Sequence, residues 1–191
     1  MSYDKAIGQL THSVSRPTLY KITMPSKFMG RDTNDYLEYF CNAAEIPSVR
    51  YTGMNVAGHS LMGITRIQPQ TPVWTNPLTI SVIENSDFET YADFKKWFDQ
   101  TGTGIDQEGL RNIKLRYYDD IVGDIELEKL EQPDSVNQGG GGGEYKKPLK
   151  VKFLNAYIKS LGPIALNSGT PNTYTTFQVQ FNYEAYVTEF K

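Results

Sequence analysis

Apolar and polar positions alternate with a period of two over much of this chain, and that alternation predicts its elements. The sharpest run is Phe177 to Val187, where Phe177, Val179, Phe181, Tyr183, Ala185 and Val187 oppose Gln178, Gln180, Asn182 and Glu184. Thr18 to Met24 follows the same rule, with Tyr20 and Ile22 on one side and Lys21 and Thr23 on the other, and Pro25 ends it. Leu78, Ile80 and Val82 alternate with Thr79 and Ser81, and further strands are expected at Leu110–Tyr118, Ile125–Leu130 and Lys150–Ile158. Tyr36 to Cys41 is apolar on both sides and reads as a buried strand. Between Tyr51 and Thr65, Gly53, Gly58 and Gly63 interrupt the pattern, which suits a long hairpin or excursion.

Only one segment follows a helical period. Phe88, Tyr91, Phe94 and Phe98 recur at helical spacing with Trp97 at the rim, while Glu89, Asp93, Lys96 and Asp99 face away. Ser86 and Glu89 have the spacing of a capping box, and Gly102 supplies a stop. The helix therefore spans about residues 86–101. Several strands, one helix and no alternation of strand with helix indicate a mainly β protein. The expected fold is an antiparallel β-sandwich or barrel with one flanking amphipathic helix. Residues 1–15 read as an N-terminal arm. Residues 133–147, with five consecutive glycines from Gly139, read as a flexible insertion within a single domain spanning 1–191.

Composition supports this picture and narrows the function. The 191 residues include 13 Tyr, 9 Phe and 2 Trp, a bias toward side chains that suit a half-buried pleated surface. The net charge of −3 argues against a protein that grips nucleic acid. One Cys excludes an internal disulfide framework and suits a reducing cytoplasm, and no apolar run is long enough for a membrane span. The first residues carry no signal-peptide core. Charge is unevenly distributed. Seven acids against Lys129 lie between Asp119 and Asp134, and five lysines with no acid lie between Lys146 and Lys159. Complementary patches of this kind suit a self-associating subunit, and equally two ordinary solvated surfaces.

No catalytic constellation emerges. His12 and His59 lack companion ligands, so no metal site is expected. Cys41 reads as a packed core thiol, because reactive thiols need an exposed, electropositive setting. The glycine run lacks the Lys-Ser/Thr pair and the following helix of a phosphate loop, and no cofactor is expected. The acids from Asp119 to Glu128 read as a solvated face.

Several of these segments, in this order, resemble the tail tube proteins of contractile-tailed, T-even-type bacteriophages. They are Phe40-Cys41-Asn42-Ala43-Ala44-Glu45-Ile46-Pro47, then Asn55-Val56-Ala57-Gly58 in a glycine-containing loop, a proline-flanked Trp74 and the strand Leu78–Val82. A helix ending Phe94-Lys95-Lys96-Trp97-Phe98-Asp99 and a closing strand Thr176–Phe181 follow. The likeness runs from about Arg16 to Tyr186, and the stretch from Asp119 to Lys147 departs from it.

The resemblance implies a structural virion protein that forms six-subunit rings, whose strands close a continuous barrel around a lumen and whose rings stack into a conduit for DNA ejection. It implies as partners further copies of the chain, the tail sheath protein, the tape measure protein and genomic DNA in the lumen, and baseplate and tail terminator proteins at the ends. No membrane is involved, and assembly takes place in the host cytoplasm. It places an inter-ring loop at residues 52–65, with Met54, Asn55, Val56, Ala57, Gly58, His59, Leu61 and Met62 as contacts. Two strand faces are candidates for the lumen wall: Asp124, Glu126 and Glu128, or Gln178, Gln180, Asn182 and Glu184. Two other readings remain open. One is a baseplate tube-initiator protein of the same fold; the other is a carbohydrate-binding β-sandwich module, in which exposed tyrosines would form a platform.

Overall fold

This computed structural model describes residues 15, 17–56, 66–74, 76–101, 104–105, 111–112, 116–131, 145–166, 169 and 173–190. Within them, in chain order, lie β1 (Tyr20–Thr23), α1 (Arg31–Phe40), β2 (Cys41–Glu45), β3 (Arg50–Val56), β4 (Arg66–Val73) and β5 (Leu78–Ile83). Next come α2 (Glu89–Thr101), β6 (Gly104–Ile105), β7 (Arg111–Asn112), α3 (Tyr118–Ile121), β8 (Gly123–Glu131), β9 (Lys146–Leu161), β10 (Thr176–Asn182) and β11 (Ala185–Phe190). All strand pairs are antiparallel. The mainly β, antiparallel class expected from the alternation is the class observed.

The long strand β9 belongs to two sheets. Its first part pairs with β8 on one side and β11 on the other, and β1 adds to β8, which makes a first sheet β1-β8-β9-β11. Its last five residues pair with β10, followed by β5 and β2, which makes a second sheet β9-β10-β5-β2. The corner is Asn155, at φ 52. Asparagine tolerates this left-handed conformation better than most residues. The corner is held on both sides: Asn155 N donates to Asp124 Oδ1 at 3.2 Å, and its Nδ2 donates to Glu184 Oε2 at 2.6 Å.

The two sheets enclose the core with α2. Ile22, Ile125, Leu127, Val151 and Phe153 point inward from the first sheet, and Leu78, Ile80, Val82, Phe177, Val179 and Phe181 from the second. Over the second sheet α2 lays Phe94 and Trp97, both fully buried; Trp97 lies 5.5 Å from Phe181 and stacks on Phe28 at 4.5 Å. Burying each such ring contributes roughly 2–3 kcal/mol.

Five local expectations change. The run from Phe177 to Val187 is not one strand: it divides after Asn182 into β10 and β11, which pair with different parts of β9 as that strand turns its corner, and Val187 is exposed. Residues 36–40 are not a strand but the end of α1, whose helical face runs Thr33, Leu37 and Phe40. Tertiary bonds hold that helix: Asn34 Oδ1 accepts from Met24 N at 2.7 Å, and Thr33 Oγ1 donates to Asp93 Oδ2 at 2.6 Å. The capping box does not form. Asn85 Oδ1 accepts from Glu89 N, Glu84 accepts from Tyr91 N, and Phe88 turns left-handed at φ 57, outside the helix and 39% exposed. Trp97 takes the central position assigned to the rim. The strand expected over 110–118 is replaced at its end by α3, which begins at Tyr118 with Asp119 and Asp120 favourably placed in its first turn.

Candidate assembly surfaces

The second sheet turns an almost uncharged face away from the core. Register places Ala43, Ser81 and Gln178 in one row, and Glu45, Thr79, Gln180 and Ser160 in the next. These side chains bond among themselves: Ser160 Oγ donates to Gln180 Oε1 at 3.2 Å, and Asn182 Nδ2 donates to Tyr157 Oη at 3.1 Å. Gln178 and Glu184 are exposed, Gln180 and Asn182 half-buried. Of the amide-rich candidate set, Gln178, Gln180 and Asn182 thus share this face, while Glu184 lies past the end of β10 and braces Asn155.

Both terminal strands of this sheet are open on one side among the described residues. One is β2, and the other is the 157–161 segment of β9, because pairing with β8 ends at Ala156. Open strands are commonly blunted by lysine, proline or a covering element. β2 reads Cys-Asn-Ala-Ala-Glu and carries neither lysine nor proline. Exposed apolar groups flank it, with Tyr39 at 78%, Phe40 at 42%, Ile46 at 41% and Val49 at 44%. Within it the Cys41 thiol is packed against the core and pushed up in pKa by burial, which makes it a poor nucleophile.

The outer face of the first sheet is entirely different. The acids of β8 meet the lysines of β9: Lys152 pairs with Asp124 at 3.0 Å, Lys150 with Glu126 at 2.8 Å and Lys147 with Glu128 at 2.9 Å. From β1, Lys21 pairs with Glu38 of α1 at 2.6 Å. Three acids and three lysines of the two charge runs therefore face each other across one strand pair, while Asp119 and Asp120 lie in α3 and Lys159 in the second-sheet part of β9. The paired groups neutralise each other within the chain, so the expected complementary patches are not both left for a partner.

The expected loop at 52–65 begins as the hairpin β3–β4, a two-stranded sheet that pairs with neither of the other two. Gly53 does not weaken it: a Cβ there would stand 2.4 Å from Ile67 Cγ2, so the missing side chain makes room for the opposite strand. Pro69 and Pro72, which precede Trp74 in the sequence, lie within β4 and blunt its edge. Its side chains are open instead, with Tyr51 64%, Met54 48% and Ile67 70% exposed. Asn55 and Val56 belong to β3, and Ala57, Gly58, His59, Leu61 and Met62 lie outside the described residues. So do most of the N-terminal arm and of the glycine-rich insertion; Lys146 and Lys147 already belong to β9.

Tyrosines tie these surfaces together. Tyr20, Tyr36, Tyr183 and Tyr186 each donate a hydroxyl to a backbone carbonyl: Cys41, Ile83, Asn76 and Pro47, at 2.6–3.0 Å. Burial, with Tyr186 adjoining, raises the Tyr183 hydroxyl to about 12, so it stays protonated as a donor. The open β2 edge escaped sequence analysis because Cys41 was absorbed into the preceding apolar run. The run of small residues Asn42-Ala43-Ala44 before Pro47 was its signal. Among the described residues no cluster of acids, His and Cys is placed to hold a metal, and no helix is long and apolar enough to cross a membrane.

Known proteins share this architecture. The baseplate of the anti-feeding prophage contains a chain similar at TM-score 0.62 with 6% identity, covering 93% of this chain and 97% of that one. The sheath/tube terminator of an extracellular contractile injection system is similar at TM-score 0.59 and 10% identity, over 93% and 98%. The sheath–tube complex of that kind of system is similar at 0.56 and 11% identity, over 100% and 99%. These likenesses establish a common fold. No curated protein sequence matches the chain. The model of the phage tail tube protein family matches residues 10–189, and with nearly the whole length so covered, the chain belongs to the phage tail tube protein family.

Proposed function

We propose that the second sheet of this tail tube subunit forms the inner wall of the tube. Six copies join edge to edge, β2 of one against residues 157–161 of the next, and close a ring; rings then stack into the conduit for DNA ejection. In the sheet β9 and β5 run one way and β10 and β2 the other, so the junction is antiparallel like every pair within the chain. A heterologous contact that closes on itself makes a ring. The observation that carries this reading is a sheet with both terminal strands open on one side among the described residues, β2 without lysine or proline and the 157–161 segment with Lys159 alone, and an outer face of mostly small, amide and hydroxyl side chains.

That face favours Gln178, Gln180 and Asn182 over Asp124, Glu126 and Glu128 as the lumen wall, because each of the three acids is already paired with a lysine. A conduit should not hold its cargo, and amides and hydroxyls without a basic patch give phosphates little to bind. The tape measure protein and then genomic DNA occupy the lumen, the sheath surrounds the outer surface, and baseplate and terminator proteins close the ends. Rings assemble in the host cytoplasm and become part of the virion tail. The hairpin β3–β4, with Met54 and Ile67 exposed, serves as the contact between rings. Native mass spectrometry and negative-stain microscopy at micromolar concentration test the reading. Six-copy rings and tubes are expected, and a protein that stays monomeric at every salt concentration would reject it.

A further inference from the structure

Beside the open edge of β2 lies a groove of about 310 Å³ between the two sheets, with an apolar lining that includes Tyr20, Ala44, Ile46, Leu127 and Leu149. Glu45 and Lys129 supply polar groups at it. Beside the other open edge, the 157–161 segment, stands an aromatic pair that its own chain leaves exposed. Tyr117 is 85% exposed and Tyr118 49%, and the Tyr118 ring packs edge-on to Tyr157 at 6.4 Å. We propose that this groove receives Tyr117 and Tyr118 of the adjacent copy in the ring. The inference rests on the edge-to-edge ring proposed above and specifies its lateral contact.

Topology supports the match. The end of helix α3 reaches the core side of the second sheet, where Trp97 Nε1 of α2 donates to Ile121 O at 3.0 Å, and its first residue, Tyr118, stands at the open edge against Tyr157, whose hydroxyl meets Asn182 on the outer face. The groove lies at the opposite edge of that sheet, between β2 and the first sheet, so edge-to-edge addition brings the two together. Height agrees as well. Across the strands, Glu45 is level with Thr79, Gln180 and Ser160, so Tyr157 is level with the residues just after Glu45, where Ile46 lines the groove. A copy that adds its 157–161 segment to β2 therefore carries its tyrosines to the groove. The rings meet an apolar lining, and a hydroxyl has the Glu45 carboxylate to donate to, since the Lys129 ammonium is already bonded to Leu19 O, Leu130 O and Glu131 Oε1. Buried tyrosines of this kind are frequent energetic centres of interfaces.

The test starts from Cys41→Ser protein, which has no other thiol. Tyr117→Cys and Ile46→Cys are introduced together, and assembled rings are oxidised. Covalent multimers up to the full ring are expected from the pair and none from either single variant. In parallel, Tyr117→Ala, at a position too exposed to affect folding, should raise the concentration for half-assembly by about tenfold with unchanged monomer melting. Normal rings that yield no covalent multimers, or a Tyr117→Ala protein that assembles like the parent, would overturn the contact and leave the edge-to-edge ring standing. Parent protein that forms no rings would remove both.

Discussion

At the start of α2, two residues compete for the role of cap, and the winner is not the one with the familiar spacing. Ser86 Oγ turns to Asp87, whereas the Glu84 carboxylate, 8% exposed, accepts from Asn85 N at 3.1 Å and Tyr91 N at 3.0 Å. Glu84→Ala should therefore cost about 1–2 kcal/mol in chemical denaturation of the monomer, and Ser86→Ala less than about 0.5 kcal/mol. The reverse order would restore the capping box. Burial raises the Glu84 pKa above its ordinary value of 4.5, against the lowering effect of the backbone donors. The folded protein then binds more protons than the unfolded chain between 4.5 and that raised value, so this group's contribution to stability falls as pH rises through the window. Glu84→Gln should flatten that dependence. Sequence spacing could not rank the two residues, because the left-handed turn at Phe88 shifts the first helical residue to Glu89. The same turn carries Phe88 out of the aromatic stripe, and Trp97 occupies the centre.

Among the elements, strands with strict alternation were legible in sequence. Leu78–Ile83 is where the period of two placed it, and so is the first part of the Phe177–Val187 run, although the run divides after Asn182 into β10 and β11. Helix α1 was not legible. A window beginning at Tyr36 sees only an apolar run, and of the polar residues before it Asn34 is held by Met24, just past β1, and Thr33 by Asp93, far along the chain in α2. The corner of β9 did leave a trace: Val151 and Phe153 are buried before Asn155, and Ala156 and Ile158 after it, so the period of two slips by one residue there, which a reading of one continuous strand over Lys150–Ile158 passes over. That corner decides how the two sheets enclose the core. Asn155→Ala should destabilise the monomer by about 1–2 kcal/mol through backbone strain and the lost bond to Glu184, and Asn155→Gly should recover the strain but not the bond. Thermal or urea unfolding of the three proteins checks the order: the parent most stable, the glycine variant next and the alanine variant least. Equal stability of alanine and glycine variants would mean that the left-handed turn carries no strain.

For the whole molecule, the sequence pointed to self-association through its resemblance and its charge runs, and only the first of these survives contact with the fold. Three acid–lysine pairs cross β8 and β9, which is why the second sheet, with few charges, is the proposed inner wall. Thiol labelling separates the two candidate faces. In Cys41→Ser protein, Gln178→Cys should react with a bulky maleimide at least about tenfold more slowly in tubes than in dissociated subunits, because only the tube ends admit it. Glu126→Cys should react alike in both. The opposite pattern would place the charged ladder in the lumen. Stacking is tested through the hairpin: Met54→Ser with Ile67→Asp, both at exposed positions, should leave rings and monomer melting intact and stop tube growth. Normal tubes from this variant, or loss of the folded monomer, would remove the hairpin from the contact between rings.

The most direct measurement of the central claim is a side-chain-resolution reconstruction of the assembled tube by electron cryomicroscopy. It should show β2 of each subunit hydrogen-bonded, antiparallel, to residues 157–161 of its neighbour around a closed ring, with Gln178 and Gln180 facing the lumen. Subunits joined through any other strands, or a lumen wall formed by Asp124, Glu126 and Glu128, would contradict it.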